Sequence, residues 1–322
     1  MHYRRLGKTG IHVSEVGFGA WGIGGTMWMG AQDSESMRAL HAAVDGGVNF
    51  IDTALVYGLG HSEKLVGELV RARSEQLYIA SKIPPLNGEW PARAGVTLQQ
   101  AFPPSHIRKG TEQSLSNLKV DCLDLQQLHV WRDEWLEDES WLDEFQRLKQ
   151  EGKIRACGIS INDHESDSAI RAVKTGVVDT VQVIYNIFDQ SPKRALLPTC
   201  LEHEVGVLVR CPFDEGGLTG TVTPESKFPE GDWRNRYFKD DRKAQVVRHV
   251  ALLETLLGEE AGTLAELALR FCLTHPAVST VIPGMRTAKH VQANTRVSDG
   301  RRLSDRLLTE LTHHAWERNF YQ

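Results

Sequence analysis

Several features are scarce in this chain of 322 residues, and each scarcity excludes a class of protein. No apolar run approaches the ~20 residues that a membrane-spanning helix requires, and no apolar signal segment follows Arg4-Arg5. Cysteines are few, and their spacing shows no pairs, which argues against a disulfide framework and against a zinc site. We therefore expect a cytoplasmic protein without a membrane partner or a metal, with small buried cysteines at Cys122, Cys157, Cys200, Cys211 and Cys272.

An excess of positive charge is also missing. The chain has 37 Lys and Arg residues against 42 Asp and Glu residues, which gives a net charge of -5. Proteins bind nucleic-acid backbones through basic patches, and no basic cluster longer than a pair or a triple occurs here. We expect no nucleic-acid partner. With 41% hydrophobic and 25% charged residues, the composition is that of a globular protein with enough length for a large core.

Three successive apolar segments each end on an ionisable side chain. The segment from Val48 ends at Asp52, the segment from 76 to 82 ends at Lys82, and the segment from 123 to 129 ends at His129. A short Gly-terminated turn after Asp52 carries Tyr57. Because the carboxyl ends of parallel strands meet at one rim, we expect these side chains to form a catalytic cluster there.

The stretch from Gly17 to Gly22 matches the dinucleotide fingerprint G-x-G-x-x-G, but its context is wrong. The fingerprint requires a helix that opens at the third glycine and an acid ~20 residues further on at a strand end. Here Gly22 leads into a loop that reaches Gly30, and a helix begins only near Asp33 or Ser34. The pattern therefore does not indicate a Rossmann domain.

Apolar periodicity predicts eight strands that alternate with helices. The predicted strands are 15–19, 48–52, 76–82, 123–129, 154–159, 180–184, 205–210 and 278–282. The chain length agrees with the ~250-residue norm for a (β/α)₈ TIM barrel with insertions, and an open doubly wound sheet fits worse because no segment can serve as its phosphate-binding first turn. We expect an α/β protein in which residues 1–322 form a single barrel domain.

The segments that join these strands add detail to the prediction. Tyr3 to Val13 has the pattern of a hairpin that caps the barrel. Two long loops should lie at the C-terminal face: a Pro/Gly-rich loop after Lys82, ended by Ser105 as the N-cap of a helix, and a loop from Cys211 to Lys239. Further helices are expected over 163–174 and 191–203.

With Asp52, Tyr57, Lys82 and His129 at their strand ends, the sequence resembles the aldo-keto reductase family over essentially the whole chain. The resemblance implies a (β/α)₈ barrel that binds NADPH in an extended pose without a Rossmann domain. The stretches typical of that family are 49–54 with Tyr57-Gly58, 152–155 with Gly158, Gln182 with Tyr185-Asn186, Gly216 with 218–220, and 282–284 with Arg286.

The same resemblance implies a reaction in which an aldehyde or a ketone is reduced to an alcohol. A nicotinamide hydride attacks the carbonyl carbon, and Tyr57 donates a proton to the developing alkoxide. Lys82 would lower the pKa of the phenol, and Asp52 would pair with Lys82 and fix its position. His129 would donate a hydrogen bond to the carbonyl oxygen and orient the substrate.

The cofactor residues are likewise implied by the resemblance. Ser160, Asn162 and Gln182 are expected at the nicotinamide amide, although Ile161 separates a serine and an asparagine that are adjacent in many members. Arg286 suits the 2′-phosphate of NADPH, which makes NADH the less expected cofactor. The remaining residues expected along the cofactor are Trp21, Arg210, Cys211, Pro212, Phe213, Gly216, Gly284, His290 and Asn294.

Arg210 stands where relatives often carry an aromatic side chain that stacks on the nicotinamide. A guanidinium plane can stack too, but its positive charge would weaken the binding of NADP⁺ relative to NADPH and so favour reduction. The alternative is that Arg210 pairs with Asp214 or Glu215 and never touches the ring.

The resemblance implies that the substrate is a small carbonyl compound or a sugar, and the sequence does not choose between them. Four tryptophans, Trp21, Trp28, Trp90 and Trp131, lie in predicted loops, where they can wall an aromatic pocket or simply pack. The loop after Cys211 can fold over the cofactor's pyrophosphate.

Three other functions remain open. A sugar dehydrogenase would run the same chemistry toward oxidation, and a cofactor-binding regulatory subunit would resemble the ion-channel β-subunits of this family. A Schiff-base lyase using Lys82 is disfavoured, because Asp52 beside the lysine would keep it protonated. The oligomeric state is not indicated by the sequence.

Overall fold

The computed structural model describes all residues from Met1 to Gln322. The strands are β1 (Tyr3–Arg5), β2 (His12–Ser14), β3 (Phe18–Gly19), β4 (Phe50–Asp52), β5 (Tyr78–Ile83), β6 (Leu123–Leu128), β7 (Ile154–Ser160), β8 (Thr180–Ile184), β9 (Gly206–Arg210) and β10 (Val278–Val281). The helices are α1 (Asp33–Asp45), α2 (His61–Ala72), α3 (Leu98–Ala101), α4 (Pro104–Leu118), α5 (Ser140–Gln150), α6 (Ile170–Thr175), α7 (Leu196–Glu202), α8 (Arg234–Tyr237), α9 (Arg242–Glu254), α10 (Leu264–Thr274), α11 (Ala288–Thr295) and α12 (Asp305–Thr312). None of these helices combines the length and the apolar character needed to cross a bilayer.

Strands β3 to β10 form one parallel sheet in which each strand pairs with its neighbours in chain order. Parallel bridges between Val16 and Val281 and between Gly19 and Gly284 join the two edges of this sheet. The sheet therefore closes into the predicted (β/α)₈ barrel. The regular part of β3 is shorter than predicted, whereas the seven later strands begin and end within two residues of their predicted bounds.

The N-terminal hairpin closes one end of the barrel. Strands β1 and β2 pair antiparallel, and Leu6, Ile11 and Val13 are buried against the inward-facing residues of the barrel strands. Lys8 N donates to the Glu204 carbonyl at 2.7 Å, just before β9 begins. The hairpin thus caps the end where the strands start, as predicted, and leaves the C-terminal rim open.

Three predicted helices differ from the structure. Helix α4 begins at Pro104 and not after Ser105, because proline at the first helical position has a preset φ and needs no N–H acceptor. The helix expected over 163–174 is interrupted by His164, whose φ of 59° is left-handed, so that only α6 is regular. The helix expected over 191–203 begins as a 3₁₀ turn at Ser191 and becomes α-helical only in α7.

The residues after α12 pack onto the loop that follows β9. Arg318 forms an ion pair with Asp214, and its guanidinium lies 4.0 Å from the centroid of the Trp316 ring. The Tyr321 hydroxyl donates to Glu215 Oε1 at 2.7 Å. The C-terminal tail therefore fixes the position of the first part of the β9 loop.

Glu215 is a buried carboxyl group that forms no ion pair. Burial raises its pKa to about 7, although hydrogen bonds from Tyr321 and Cys211 act in the opposite direction. A carboxyl group with a raised pKa in the folded state binds an additional proton on folding at pH values between the unfolded and the folded pKa. The stability that protonated Glu215 contributes is therefore present at low pH and is lost as the pH rises to about 7.

We expect Glu215→Gln to become more stable relative to the wild type as the pH rises from about 5 to about 8. The glutamine keeps an acceptor for the Tyr321 hydroxyl but cannot ionise. A folded-state pKa of about 7 for this carboxyl corresponds to a difference on the order of 3 kcal/mol. Chemical denaturation at several pH values measures the free energy of unfolding, with the exposed Glu225→Gln as a control. A difference between Glu215→Gln and wild type that is constant over this range would contradict the expectation.

Candidate active site

The predicted ionisable side chains meet at the C-terminal rim of β4, β5 and β6. Lys82 Nζ donates to Asp52 Oδ1 at 2.5 Å, to the Thr53 carbonyl at 2.9 Å and to the Tyr57 hydroxyl oxygen at 3.3 Å. The ring centroids of Tyr57 and His129 are 5.7 Å apart. Asp52 and Lys82 are buried, with 2% and 0% of their surface exposed, so each needs the opposite charge of the other to remain ionised away from water. The four residues therefore form one cluster.

The local backbone explains how these side chains converge. In the paired strands Asp52 lies opposite Ala80, and Lys82 opposite Gln127. Lys82 and its partner Gln127 face the same side of the sheet. Alternate residues of a strand also face the same side, so His129, two residues after Gln127, faces the barrel axis together with Lys82. Gln127 itself was missed by the sequence analysis, although its position two residues before His129 could have placed it on this face.

The Tyr57 phenol is held in its protonated form. Burial raises its pKa well above the usual value, the Asp52 carboxylate adds to this effect, and Arg210 opposes it. The net direction of this pKa change is opposite to the lowering that we expected from Lys82, because burial is the largest effect and the Asp52 carboxylate adds to it. A phenol that keeps its proton at neutral pH is in the form that can donate it.

His129 is neutral in this environment. Burial lowers its pKa well below the usual value, and the positive charges of Lys82 and Arg210 add to the effect. Its Nδ1 atom is buried without a hydrogen-bond partner. A neutral imidazole has one N–H to donate, so His129 can hydrogen-bond a substrate oxygen beside Tyr57 without carrying charge.

The three residues expected at the nicotinamide amide differ in the number of hydrogen bonds that their side chains make within the protein. Ser160 lies opposite Gln182 at the ends of β7 and β8, and its hydroxyl makes no hydrogen bond within the protein. Gln182 Nε2 donates to Asp52 Oδ2 at 2.8 Å and orients this carboxylate, while its side-chain oxygen Oε1 accepts no hydrogen bond. The side-chain amide of Asn162, in contrast, is already hydrogen-bonded to the backbone of Ala92 and to Glu165.

Arg210 is held by the loop that follows β7. One terminal nitrogen donates to the Ile161 carbonyl at 3.0 Å and to Asp163 Oδ1 at 2.8 Å. Burial lowers the pKa of Arg210, but its neighbours, Asp163 first among them, together outweigh this effect and raise the pKa. The alternative, in which Arg210 pairs with Asp214 or Glu215, is not what the structure has, because Arg318 pairs with Asp214 and Tyr321 donates to Glu215.

Arg286 is a half-buried cation without an acceptor. It makes no hydrogen bond or ion pair, and its Nε atom is buried and unpartnered. Burial lowers its pKa, and the neighbouring Arg234 acts in the same direction. Thr287 caps α11 directly after it. An unpaired guanidinium beside a helix N-terminus fits a phosphate group, which would relieve the repulsion between the two arginines.

The loops after β3 and β9 meet across the rim. Trp233 N donates to the Met27 carbonyl at 2.6 Å, and Met29 N donates to Asp232 Oδ2 at 3.0 Å. The Arg234 guanidinium lies 4.4 Å from the centroid of the Trp28 ring. This bridge covers part of the rim near Arg286.

The other residues expected along the cofactor lie on the loops that follow β3, β9 and β10 and on α11, the helix after β10. Gly216 and Gly284 each have open space where a Cβ would stand, so the backbone is accessible to a ligand. Together with the free side-chain acceptor of Gln182, the Ser160 hydroxyl and the unpaired Arg286, these openings fit a nicotinamide dinucleotide. Cys211, Pro212 and Phe213 begin the β9 loop, Trp21 lies beside Tyr57, and His290 and Asn294 lie on α11, exposed and buried respectively.

Three tryptophans surround the cluster, and the fourth belongs to the core. The rings of Trp90 and His129 are 4.5 Å apart between centroids, and those of Trp21 and Trp28 are 5.3 Å apart. Trp131 is fully buried and makes edge contacts with Trp135 and Trp141. Trp131 therefore packs and does not wall the pocket.

The comparisons with known proteins agree with this geometry. The sequence model of the Aldo/keto reductase family matches residues 15–315. Aldo-keto reductase YhdN of Bacillus subtilis is 31% identical over 303 residues, which is 92% of this chain and 89% of the relative. The NADH-specific methylglyoxal reductase of Escherichia coli is 29% identical over 306 residues, covering 90% of this chain and 91% of the relative.

Two further likenesses bear on function. A probable voltage-gated potassium channel subunit beta of Arabidopsis thaliana is 28% identical over 319 residues, covering 93% of this chain and 92% of the relative. The glycerol dehydrogenase AKR11B4 from Gluconobacter oxydans superposes with a TM-score of 0.79 at 29% identity, over 97% of this chain and 94% of that structure. The chain belongs to the aldo/keto reductase family and is an NAD(P)H-dependent oxidoreductase that acts on carbonyl or alcohol groups.

Proposed function

We propose that this enzyme reduces an aldehyde or a ketone to an alcohol, with NADPH as the cofactor and Tyr57 as the proton donor. The observation that carries the proposal is the hydrogen bond of 3.3 Å between Lys82 Nζ and the hydroxyl oxygen of a Tyr57 that burial keeps protonated. A donor in this state can protonate an alkoxide as it forms. Lys82 then stabilises the remaining phenolate by its charge.

Each of the other residues has one task in this scheme. The bound cofactor supplies the hydride. His129 donates a hydrogen bond to the substrate oxygen and holds it beside the Tyr57 hydroxyl. Asp52 keeps Lys82 protonated inside the barrel mouth, where burial lowers the lysine's pKa. Gln182 fixes the second oxygen of Asp52.

The apolar rim favours a hydrophobic carbonyl compound over a sugar. Met27, Leu59, Leu86 and Trp90 are exposed to 47%, 86%, 57% and 43%, and all lie on loops at the C-terminal face. Exposed apolar side chains on loops that follow neighbouring strands offer apolar surface to a ligand at this rim. A sugar would leave these surfaces without a partner and would need more hydrogen-bonding groups than they offer.

Two other functions keep a specific observation in their favour. The likeness to a glycerol dehydrogenase favours oxidation of an alcohol at the same site, in which Tyr57 would accept a proton. The likeness to a probable potassium channel β-subunit favours a regulatory role through a partner. Turnover assays in both directions separate these functions from carbonyl reduction.

We expect Tyr57→Phe to lose carbonyl reduction while it retains NADPH binding. General acid catalysis contributes on the order of 10²-fold to 10⁴-fold, so kcat should fall by at least the lower figure. NADPH consumption with a panel of aldehydes, ketones and sugars measures the loss, and NADPH fluorescence measures binding. Tyr78→Phe, which changes a tyrosine outside the cluster, serves as the control. A Tyr57→Phe variant with wild-type kcat would refute the assignment, and a wild type that binds NADPH without turnover would favour the regulatory function.

We expect Arg286→Met to weaken NADPH binding by about 10-fold to 100-fold and to leave NADH binding nearly unchanged. A charge-assisted hydrogen bond contributes about 1.5–3 kcal/mol, and only NADPH carries the 2′-phosphate. Dissociation constants of both cofactors measure the effect. The exposed Lys289→Met removes a neighbouring positive charge and is the matched control. If both cofactors lost affinity equally, or neither did, the preference for NADPH would not depend on Arg286.

We expect opposite changes in cofactor preference from Asp163→Asn and Arg210→Met. The first variant leaves the Arg210 charge uncompensated near the nicotinamide and should weaken NADP⁺ relative to NADPH. The second leaves Asp163 unpaired and should strengthen NADP⁺ relative to NADPH. Each shift should be on the order of 1 kcal/mol, or about fivefold in the ratio of dissociation constants. The exposed Glu68→Gln is the control. A ratio that stays constant in both variants would place Arg210 away from the ring.

A further inference from the structure

The amide of Asn162 pairs with a backbone segment on the substrate side of the rim. Its Oδ1 atom accepts from Ala92 N at 3.2 Å, and its Nδ2 atom donates to the Ala92 carbonyl at 3.1 Å. Nδ2 also donates to Glu165 Oε2 at 3.0 Å. Asn162 and Ala92 are each only 4% exposed. The side chain therefore pairs with Ala92 as a neighbouring strand would, through one donor and one acceptor.

These hydrogen bonds are costly to break. A buried donor or acceptor that loses its partner costs about 1–3 kcal/mol, and Asn162 would lose three hydrogen bonds if it turned toward the nicotinamide. In contrast, the Ser160 hydroxyl and the Gln182 side-chain oxygen Oε1 make no hydrogen bond within the protein, so neither loses a partner on binding a ligand. Asn162 stands one residue later than the asparagine of many relatives, and here its side chain binds the backbone of Ala92.

The segment held by Asn162 is the long loop that carries Trp90. Two other side chains hold the ends of this loop: the His106 ring is hydrogen-bonded to the Pro84 carbonyl at 2.8 Å, and Trp135 Nε1 donates to the Val96 carbonyl at 2.8 Å. Only Asn162 holds its middle, two residues from Trp90. The Trp90 ring lies edge-on to His129, with 4.5 Å between centroids.

We infer that Asn162 is a positioning residue for the substrate pocket and not a ligand of the cofactor. By holding Ala92 it fixes Trp90 against His129, and Trp90 then sets the size and the apolar character of the carbonyl substituent that fits beside Tyr57. The inference rests on the proposed carbonyl reduction for its substrate side only. The placement of the loop and the independence from the cofactor do not depend on turnover.

Asn162→Ala tests this role in the full-length enzyme. We expect its dissociation constant for NADPH, measured by fluorescence, to stay within about twofold of the wild type. Amide hydrogen exchange should become faster in residues 86–96, because the middle of the loop loses its attachment. KM for a bulky aromatic aldehyde should rise by about tenfold, and KM for a short aliphatic aldehyde should change little. A tenfold rise in KM corresponds to a loss of ~1.4 kcal/mol in the free energy of substrate binding.

Trp90→Leu is the second variant, and because Trp90 is 43% exposed its replacement should not prevent folding. It should raise KM for the aromatic aldehyde to a similar extent, again with unchanged NADPH affinity. Combined with Asn162→Ala it should add little further, since both changes remove the same contact.

The result that would overturn the inference is a tenfold or greater loss of NADPH affinity in Asn162→Ala with unchanged exchange in residues 86–96. Additive effects of the two substitutions on KM would also overturn it. If the wild type turned over no carbonyl compound, the proposed reduction would fail. NADPH affinity and hydrogen exchange would then still decide whether Asn162 holds the loop.

Discussion

The buried ion pair between Asp52 and Lys82 is the interaction on which the site depends. Moving two charges out of water is costly, and their attraction offsets this only when the geometry is good and the remaining hydrogen-bonding positions are filled. Here the Thr53 carbonyl and the Gln182 amide fill these positions. The pair is nearly neutral as a unit, so burial has the largest effect on the protonation of its neighbours. Tyr57 keeps its proton, and His129 stays uncharged.

The barrel makes such a pair possible. Eight parallel strands bring their carboxyl ends to one rim, and their alternate residues face one axis, so residues far apart in the sequence become neighbours. Asp52 and Gln182 are 130 positions apart in the chain and share a hydrogen bond. At the opposite end Leu6 and Val13 of the hairpin exclude water. The apolar hairpin contacts thus lie at the N-terminal end of the barrel, and the buried polar groups of the site lie at its C-terminal rim.

The sequence predicted the parts that follow from strand periodicity. Asp52, Lys82 and His129 could be placed at one rim because each ends an apolar segment, and the strand order follows from the alternation with helices. The sequence did not predict which loop residues meet. Asp163 as the partner of Arg210, Ala92 as the partner of Asn162 and Tyr321 as the partner of Glu215 are long-range contacts between irregular segments. Loop conformation has no period from which such contacts can be predicted.

The two departures from the family pattern meet in this structure. Ile161, which separates Ser160 from Asn162, offers its carbonyl to Arg210, and Asp163 offers its carboxylate to the same nitrogen. A buried guanidinium without Asp163 would remain uncompensated. Arg210 on β9 and the arrangement of residues 161–163 therefore depend on each other, and a substitution at one site changes the constraint on the other.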